Sequence, residues 1–204
     1  MKSALYTIGH SNHSIETFTA TLQQHGVTAL GDVRSHPYSR YTPQFSREAL
    51  KISLTEAGIV YVFLGKELGA RSPNPACYLH GKVQYDRLAL EPLFADGIKR
   101  INQGMEHFCL ALMCAEKDPL DCHRALLVGR KLYETGISVN HIRADKSIES
   151  HKDLESRLLA LCKLPEEDMF RGRDEFLTEA YSIQCKRVAY QDQTMAASEE
   201  RIAA

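Results

Sequence analysis

The run CAEKDPLDCHR, Cys114 to Arg124, places two thiols, a histidine and five charged side chains directly after the apolar stretch HFCLALM. Cys114 falls at the end of that stretch, and Cys122 at or just before the first turn of CHRALLVGRKLYETG. The partial positive charge of a helix N-terminus stabilises a thiolate, and so do neighbours such as His123 and Arg124. A thiolate attacks electrophiles, binds soft metals or senses oxidants. The structural alternative has Asp121 capping the helix and Cys122 packed beneath it, since buried cysteines are common. The adjacent Cys-His-Arg favours function. In cysteine phosphatases five residues separate the thiol from its arginine; neither cysteine here has an arginine at that distance, so phosphatase chemistry is disfavoured.

Three further groups could share the site. In GDVRS, Asp32 can orient a histidine and Arg34 can hold an anion, or the two can pair with each other, because strand alternation puts them on one side. In RSHPYSRYTPQF, Arg40, and Arg47 just beyond it, are interleaved with Tyr38, Tyr41 and Phe45, a composition suited to gripping phosphate and stacking a base. In TIGHSNHS, His10 is a candidate general acid or base, and Gly9 before it allows close approach of a ligand. Glu116 is a candidate for orienting the base or the arginines. Metal ligation by Cys114, Cys122, His123 and His10 is disfavoured, since the Cys-x7-Cys-His spacing matches no usual pattern and adjacent Cys-His seldom both reach one ion. There is no dinucleotide fingerprint and no phosphate loop, so no cofactor is assigned.

The elements that position these residues alternate. Residues 4–9, 27–33, 59–64, 107–113 and 137–142 read as strands, separated by helices capped at Ser14 and Ser46 and closed by Gly26 and Gly58. A helix from about Tyr85 to Gln103 carries a break signal at Pro92, and DLESRLLALCKL is a last amphipathic helix. The long Gly/Pro-rich stretch GKELGARSPNPACYLHGKVQ exceeds a routine connector and reads as functional or mobile. This order predicts a mainly parallel sheet of about five strands with helices on both faces, a Rossmann-like three-layer sandwich, whose ligands bind beyond the carboxyl ends of the strands. His10, Asp32, Arg34, Cys114 and Glu116 are then expected on one rim. Residues 1–164 read as a single α/β domain and 165–204 as a charged C-terminal extension, partly disordered over QDQTMAASEERIAA.

A chain of 204 residues with 44% hydrophobic content can bury one sizeable core, and a net charge of −1 excludes binding of nucleic acid by bulk charge. No apolar run spans a bilayer and no signal peptide is legible, which points to a cytoplasmic protein without a membrane partner. Six cysteines are too sparse for a disulfide scaffold.

Four segments together, TIGHSNHSIETF, GDVRSHPYSRYTPQF, LTEAGIVYVFLGKELG and LMCAEKDPLDCHR, make the chain similar to the domain of unknown function 488 family. The resemblance implies a compact α/β protein of bacterial or archaeal type with motif positions at His10, Asp32, Arg34, Arg40, Glu67, Cys114, Glu116, Cys122, His123 and Arg124. It implies no reaction. From the residues, the leading expectation is an enzyme acting through a thiolate on a phosphorylated, nucleotide or nucleic-acid ligand. Cys122 or Cys114 would be its nucleophile, His10 or His123 its proton carrier, Asp32 and Glu116 the orienting groups, and Arg34, Arg40, Arg47 and Arg124 the anion-binding set. The alternative is a non-enzymatic thiol redox-sensing or metal-binding module.

Overall fold

The computed structural model describes residues 4–195 and builds them around a six-stranded sheet. In chain order the strands are β1 (Leu5–Gly9), β2 (Ala29–Asp32), β3 (Val60–Phe63), the two-residue pair β4 (Tyr78–Leu79) and β5 (Lys82–Val83), β6 (Leu110–Cys114), β7 (Val139–Ile142) and β8 (Ile148–Ser150). The main sheet runs β3-β2-β6-β1-β7-β8; all of its neighbours are parallel except β8, which is antiparallel to β7. β4 and β5 form a separate hairpin. Helices α1 (Ile15–Gln24) and α2 (Arg47–Glu56) cover one face. The other face is covered by α3 (Gly65–Leu68), α4 (Tyr85–Leu88), α5 (Pro92–Met105), α6 (Arg130–Glu134), α7 (His151–Cys162) and α8 (Arg173–Val188). The architecture is the expected three-layer sandwich with one strand more than anticipated. β8 is three residues long, too short to leave a period in the sequence.

Side-chain parity divides the core. Ile8, Leu30, Ala111 and Met113 point to α1 and α2 and pack on Phe18, Leu22, Leu50 and Leu54. Leu5, Ala29, Val33, Leu110, Leu112 and Cys114 point to the opposite layer, against residues such as Leu68, Phe94, Ile101 and Leu132. Period-two alternation therefore sends Cys114 to the face opposite α1 and α2. β6 is inserted between β1 and β2, with Gly9 in register with Cys114 and Asp32 with Met113. The ends of all three strands consequently meet at one edge of the sheet, where an open α/β fold binds its ligands.

Ser14 caps α1 as expected, accepting from the Thr17 amide at 3.2 Å. Ser46 stands at the start of α2, but its hydroxyl makes no cap bond. The helix expected over 85–103 is two, α4 and α5, with Pro92 in the first turn of the second, where its missing N–H is harmless. The segment after Pro165 reads as charged and weakly periodic. Its residues 173–188 form α8, which buries Phe176, Leu177, Ala180 and Tyr181. After α8 the chain returns to the β4–β5 hairpin, with the Val83 amide donating to the Tyr190 carbonyl at 3.0 Å. The disorder expected at the C-terminus falls in large part beyond Met195, outside the described residues. Among the described residues no helix is long and apolar enough to cross a membrane.

Candidate functional site

Between β6 and α6 the chain builds a thiol-bearing loop whose every turn is anchored. Asp118, not Asp121, is the capping residue: its carboxylate accepts from the Leu120 amide at 2.9 Å and opens a short 3-10 turn with Pro119 in its first position. Asp118 also receives Arg157 at 2.9 and 3.0 Å and Arg143 at 3.3 Å, and both arginines bond Glu149. Burial alone would raise the Asp118 carboxyl; the hydrogen bonds from Arg157 and the Leu120 amide, with the charges of Arg157 and Arg143, together outweigh it and lower the pKa. From the other side, Gln184 of α8 donates to the Leu120 carbonyl at 2.9 Å.

Cys122 closes the loop in extended conformation and His123 starts the helical turn. That change of backbone between neighbours turns both side chains to the same side. Cys114, Cys122 and His123 thus offer two Sγ atoms and one imidazole nitrogen within 4.8 Å of one another. His123 Nε2 lies 3.1 Å from the Val33 carbonyl, which can only accept, so Nε2 carries the proton and Nδ1 presents its lone pair 3.8 Å from each sulfur. The Arg124 amide donates to Cys122 Sγ at 3.4 Å. Arg124 itself is wholly buried, and its guanidinium donates to the Glu116 and Lys117 carbonyls at 2.7 and 3.2 Å. Residues 124–129 then form a π-helical turn, a departure frequent at functional sites.

Burial opposes a charge on Cys122. The hydrogen bond from Cys114, the Arg124 charge and, when Nδ1 also carries a proton, His123 act against it and lower the Cys122 pKa well below the ordinary thiol range. Cys114, as the donor to Cys122 and itself buried, is raised. Both directions favour charge on Cys122 over charge on Cys114.

These three residues lie at the floor of a cavity of about 270 Å³. Glu116 and Asp121 line one wall, and burial followed by the Cys122 charge raises the Glu116 carboxyl. Arg34, His36 and Arg71 supply cationic or protonatable groups to the same cavity, and Tyr85 and Tyr190 complete it. Arg71 comes from the long Gly/Pro-rich stretch expected to be functional, and its guanidinium sits 4.3 Å from the centre of the Tyr190 ring. The sequence reading missed His36, Arg71, Tyr85 and Tyr190. Arg71 could have been found, as the one arginine in that stretch; Tyr190 could not, because it arrives through the α8 return.

The remaining sequence candidates are placed elsewhere. Asp32 points to the α2 side, opposite in parity to Cys114. It binds Arg34 through Nε and Nη2 at 2.9 and 2.7 Å and accepts from Tyr61 at 2.9 Å. Arg34 also donates to the Phe45 carbonyl at 2.8 Å and contacts His10 Nε2 at 3.2 Å. His10 donates from Nδ1 to the Ser11 carbonyl at 2.9 Å and stacks on Phe45, and it does not line the cavity. Burial above all, opposed by the Ser11 bond and reinforced by Arg34, lowers its pKa to about 4, leaving it neutral near pH 7 with both ring nitrogens engaged. Gly9 is approached by the loop backbone: an added Cβ would meet the Glu116 carbonyl oxygen at 1.9 Å. Arg40 is exposed beside Tyr38 and Tyr41 in a separate shallow depression, and Arg47 lies over the Phe63 ring at 4.7 Å. Glu67 forms an ion pair with Arg100, joining α3 to α5.

A doubly covered, mainly parallel sheet with a buried Cys-Cys-His cluster at its strand ends defines a class of α/β protein. Within it the chain belongs to the family described as domain of unknown function DUF488, which it matches over residues 14–130. Neither a curated protein nor a solved structure matches the chain. The family span contains the thiol-bearing loop but ends before Arg157 and Gln184, which hold that loop, and before Tyr190, which lines the cavity.

Proposed function

We propose that the chain is an enzyme acting on a phosphorylated or nucleotide-type ligand, with the Cys122 thiolate as its attacking group. One observation carries the reading: Cys122 Sγ lies at the floor of the cavity with the Arg124 amide at 3.4 Å and a buried arginine on the same two-residue step. An activated nucleophile needs this arrangement, a sulfur held charged by fixed donors and bordering a cavity. The sulfur lone pair forms the new bond to the electrophile, the leaving group departs with the old bonding pair, and the Glu116 carboxyl or the Cys114 thiol supplies its proton. Arg71 and His36, with the outward N–H of Arg34, receive the anionic part of the ligand. Arg124 serves the thiolate rather than the ligand, because its guanidinium is already bonded to two carbonyls. For a nucleic-acid ligand, Tyr38, Arg40 and Tyr41 would carry the neighbouring nucleotides.

Alkylation of the native protein at neutral pH, resolved by peptide mass spectrometry, tests this. Cys122 is expected to react faster than the same residue in the unfolded chain, and a phosphorylated ligand from a nucleotide and sugar-phosphate panel is expected to slow it. Reaction of Cys122 only after unfolding would overturn the reading.

A further inference from the structure

We infer that Cys114, Cys122 and His123 form a binding site for one soft divalent cation of the zinc class, with the fourth position open to the cavity. Going beyond the thiolate reading, this assigns a second state to the same atoms. Zinc–sulfur and zinc–imidazole bonds of about 2.3 and 2.0–2.1 Å, set tetrahedrally, separate sulfur from nitrogen by roughly 3.5 Å. His123 Nδ1 stands 3.8 Å from both sulfurs, within a few tenths of an ångström of that spacing, and the two sulfurs lie within 4.8 Å of each other. The imidazole is already in the required tautomer, because the Val33 carbonyl holds Nε2–H at 3.1 Å and leaves Nδ1 as donor atom. A carbonyl on the far nitrogen is the outer-shell partner that metal-ligating histidines characteristically have. The Arg124 amide does the same for Cys122 Sγ.

The ligands also sit on fixed elements. Cys114 ends the central strand β6, and the loop carrying Cys122 is held by Arg157 and Gln184. Two thiolates and a neutral imidazole suit zinc, cobalt or cadmium and not magnesium or calcium, which require oxygen. Adjacent Cys and His seldom both reach one ion, because a continuous element points them apart; here the extended-to-helical step between Cys122 and His123 brings them together. Cys114, Cys122 and His123 line a cavity that Glu116 and Asp121 also line, so water or a ligand oxygen there can complete the tetrahedron. A bound ion takes up the Cys122 sulfur, so the metal form and the free-thiolate form exclude each other.

The test uses the full chain, stripped by chelator and titrated with Co²⁺ alone, then with Zn²⁺ as competitor. One ion per chain is expected, with thiolate-to-cobalt charge-transfer and tetrahedral d–d absorption. Cys114→Ser, Cys122→Ser and His123→Ala should each weaken binding at least ~100-fold, while Cys77→Ser leaves it unchanged. Should a variant fail to fold, the wild-type protein still decides: Zn²⁺ must protect Cys114 and Cys122 from alkylation together, and Cys185 not at all. Absence of stoichiometric binding, or binding that survives loss of the three ligands, overturns the inference. Fast alkylation of Cys122 without metal binding would remove the metal site and leave the thiolate reading standing; tight binding with a slow apo thiol would do the reverse.

Discussion

Gly9 and Glu116 meet backbone to backbone: a Cβ on Gly9 would fall 1.9 Å from the Glu116 carbonyl oxygen and 3.1 Å from an Arg124 guanidinium nitrogen. The thiol-bearing loop lies directly on the end of β1, and Arg124 fastens it there. Gly9→Ala is expected to push the loop away, costing about 1–3 kcal/mol as overpacking does and slowing native-state alkylation of Cys122. Denaturant unfolding together with peptide-resolved alkylation checks both parts; an unchanged unfolding midpoint would show that the loop yields freely.

Asp32 and Arg34 form a buried two-point ion pair, extended by Tyr61 and the Phe45 carbonyl. Removing one partner strands the other charge in the interior. Asp32→Asn should therefore destabilise the fold by about 3–5 kcal/mol. An anion-binding Arg34 with a merely incidental partner would instead lose ligand affinity at constant stability, and comparing urea midpoints of the two proteins separates these cases.

The buried histidines make stability fall in mild acid. Burial lowers both His10 and His151 to about 4, below the 6.5 of an unfolded histidine. Between those values the unfolded chain binds more protons than the folded one, so unfolding free energy decreases as pH drops from about 6.5 to 4. The slope reaches at most about 1.4 kcal/mol per pH unit for each group. Glu155, raised chiefly by burial, works in the opposite sense just above its ordinary range and blunts the low end. The urea midpoint should be lower at pH 5 than at pH 7.5; equal midpoints would contradict neutral burial of these rings. His151 belongs to a buried chain from Thr7 through His141 and His151 to Tyr181 and Glu155, with successive contacts of 2.7, 3.0, 3.0 and 3.2 Å.

The layer order and the thiol-bearing loop were legible because apolar runs, caps and glycines act locally. Alternation continued past the end of β2 links Asp32 to Arg34, and the two are paired. It could not relate Asp32 to Cys114, because relative parity between strands depends on register, and His10 and Asp32 accordingly face away from the thiols they were grouped with. α8 was legible in principle: Phe176, Leu177, Ala180, Tyr181 and Gln184 follow helical spacing, with Asp174 and Glu175 in the first turn and Lys186 and Arg187 in the last. Its high charge masked that stripe. The Val33 carbonyl on His123 had no signature, since any residue supplies a carbonyl.

Arg124 offers the sharpest separation of a functional thiolate from a packed thiol. Its guanidinium is bonded only to carbonyls, and Nε has no hydrogen-bond partner among the described residues, so no carboxylate is hydrogen-bonded to it. Cys122 is the negative group placed to benefit. Arg124→Gln keeps a side-chain donor for the Glu116 carbonyl and removes the charge. If that charge sustains the thiolate, alkylation of Cys122 near neutral pH should slow at least ~10-fold, one pKa unit or about 1.4 kcal/mol, and its pH profile should move upward while that of Cys109 stays in place. A general loosening of the fold would instead speed reaction at every buried cysteine, Cys77 included. An unmoved Cys122 profile would mean that the Cys114 bond and the Arg124 amide suffice alone, and that the buried arginine is present for the loop it ties down.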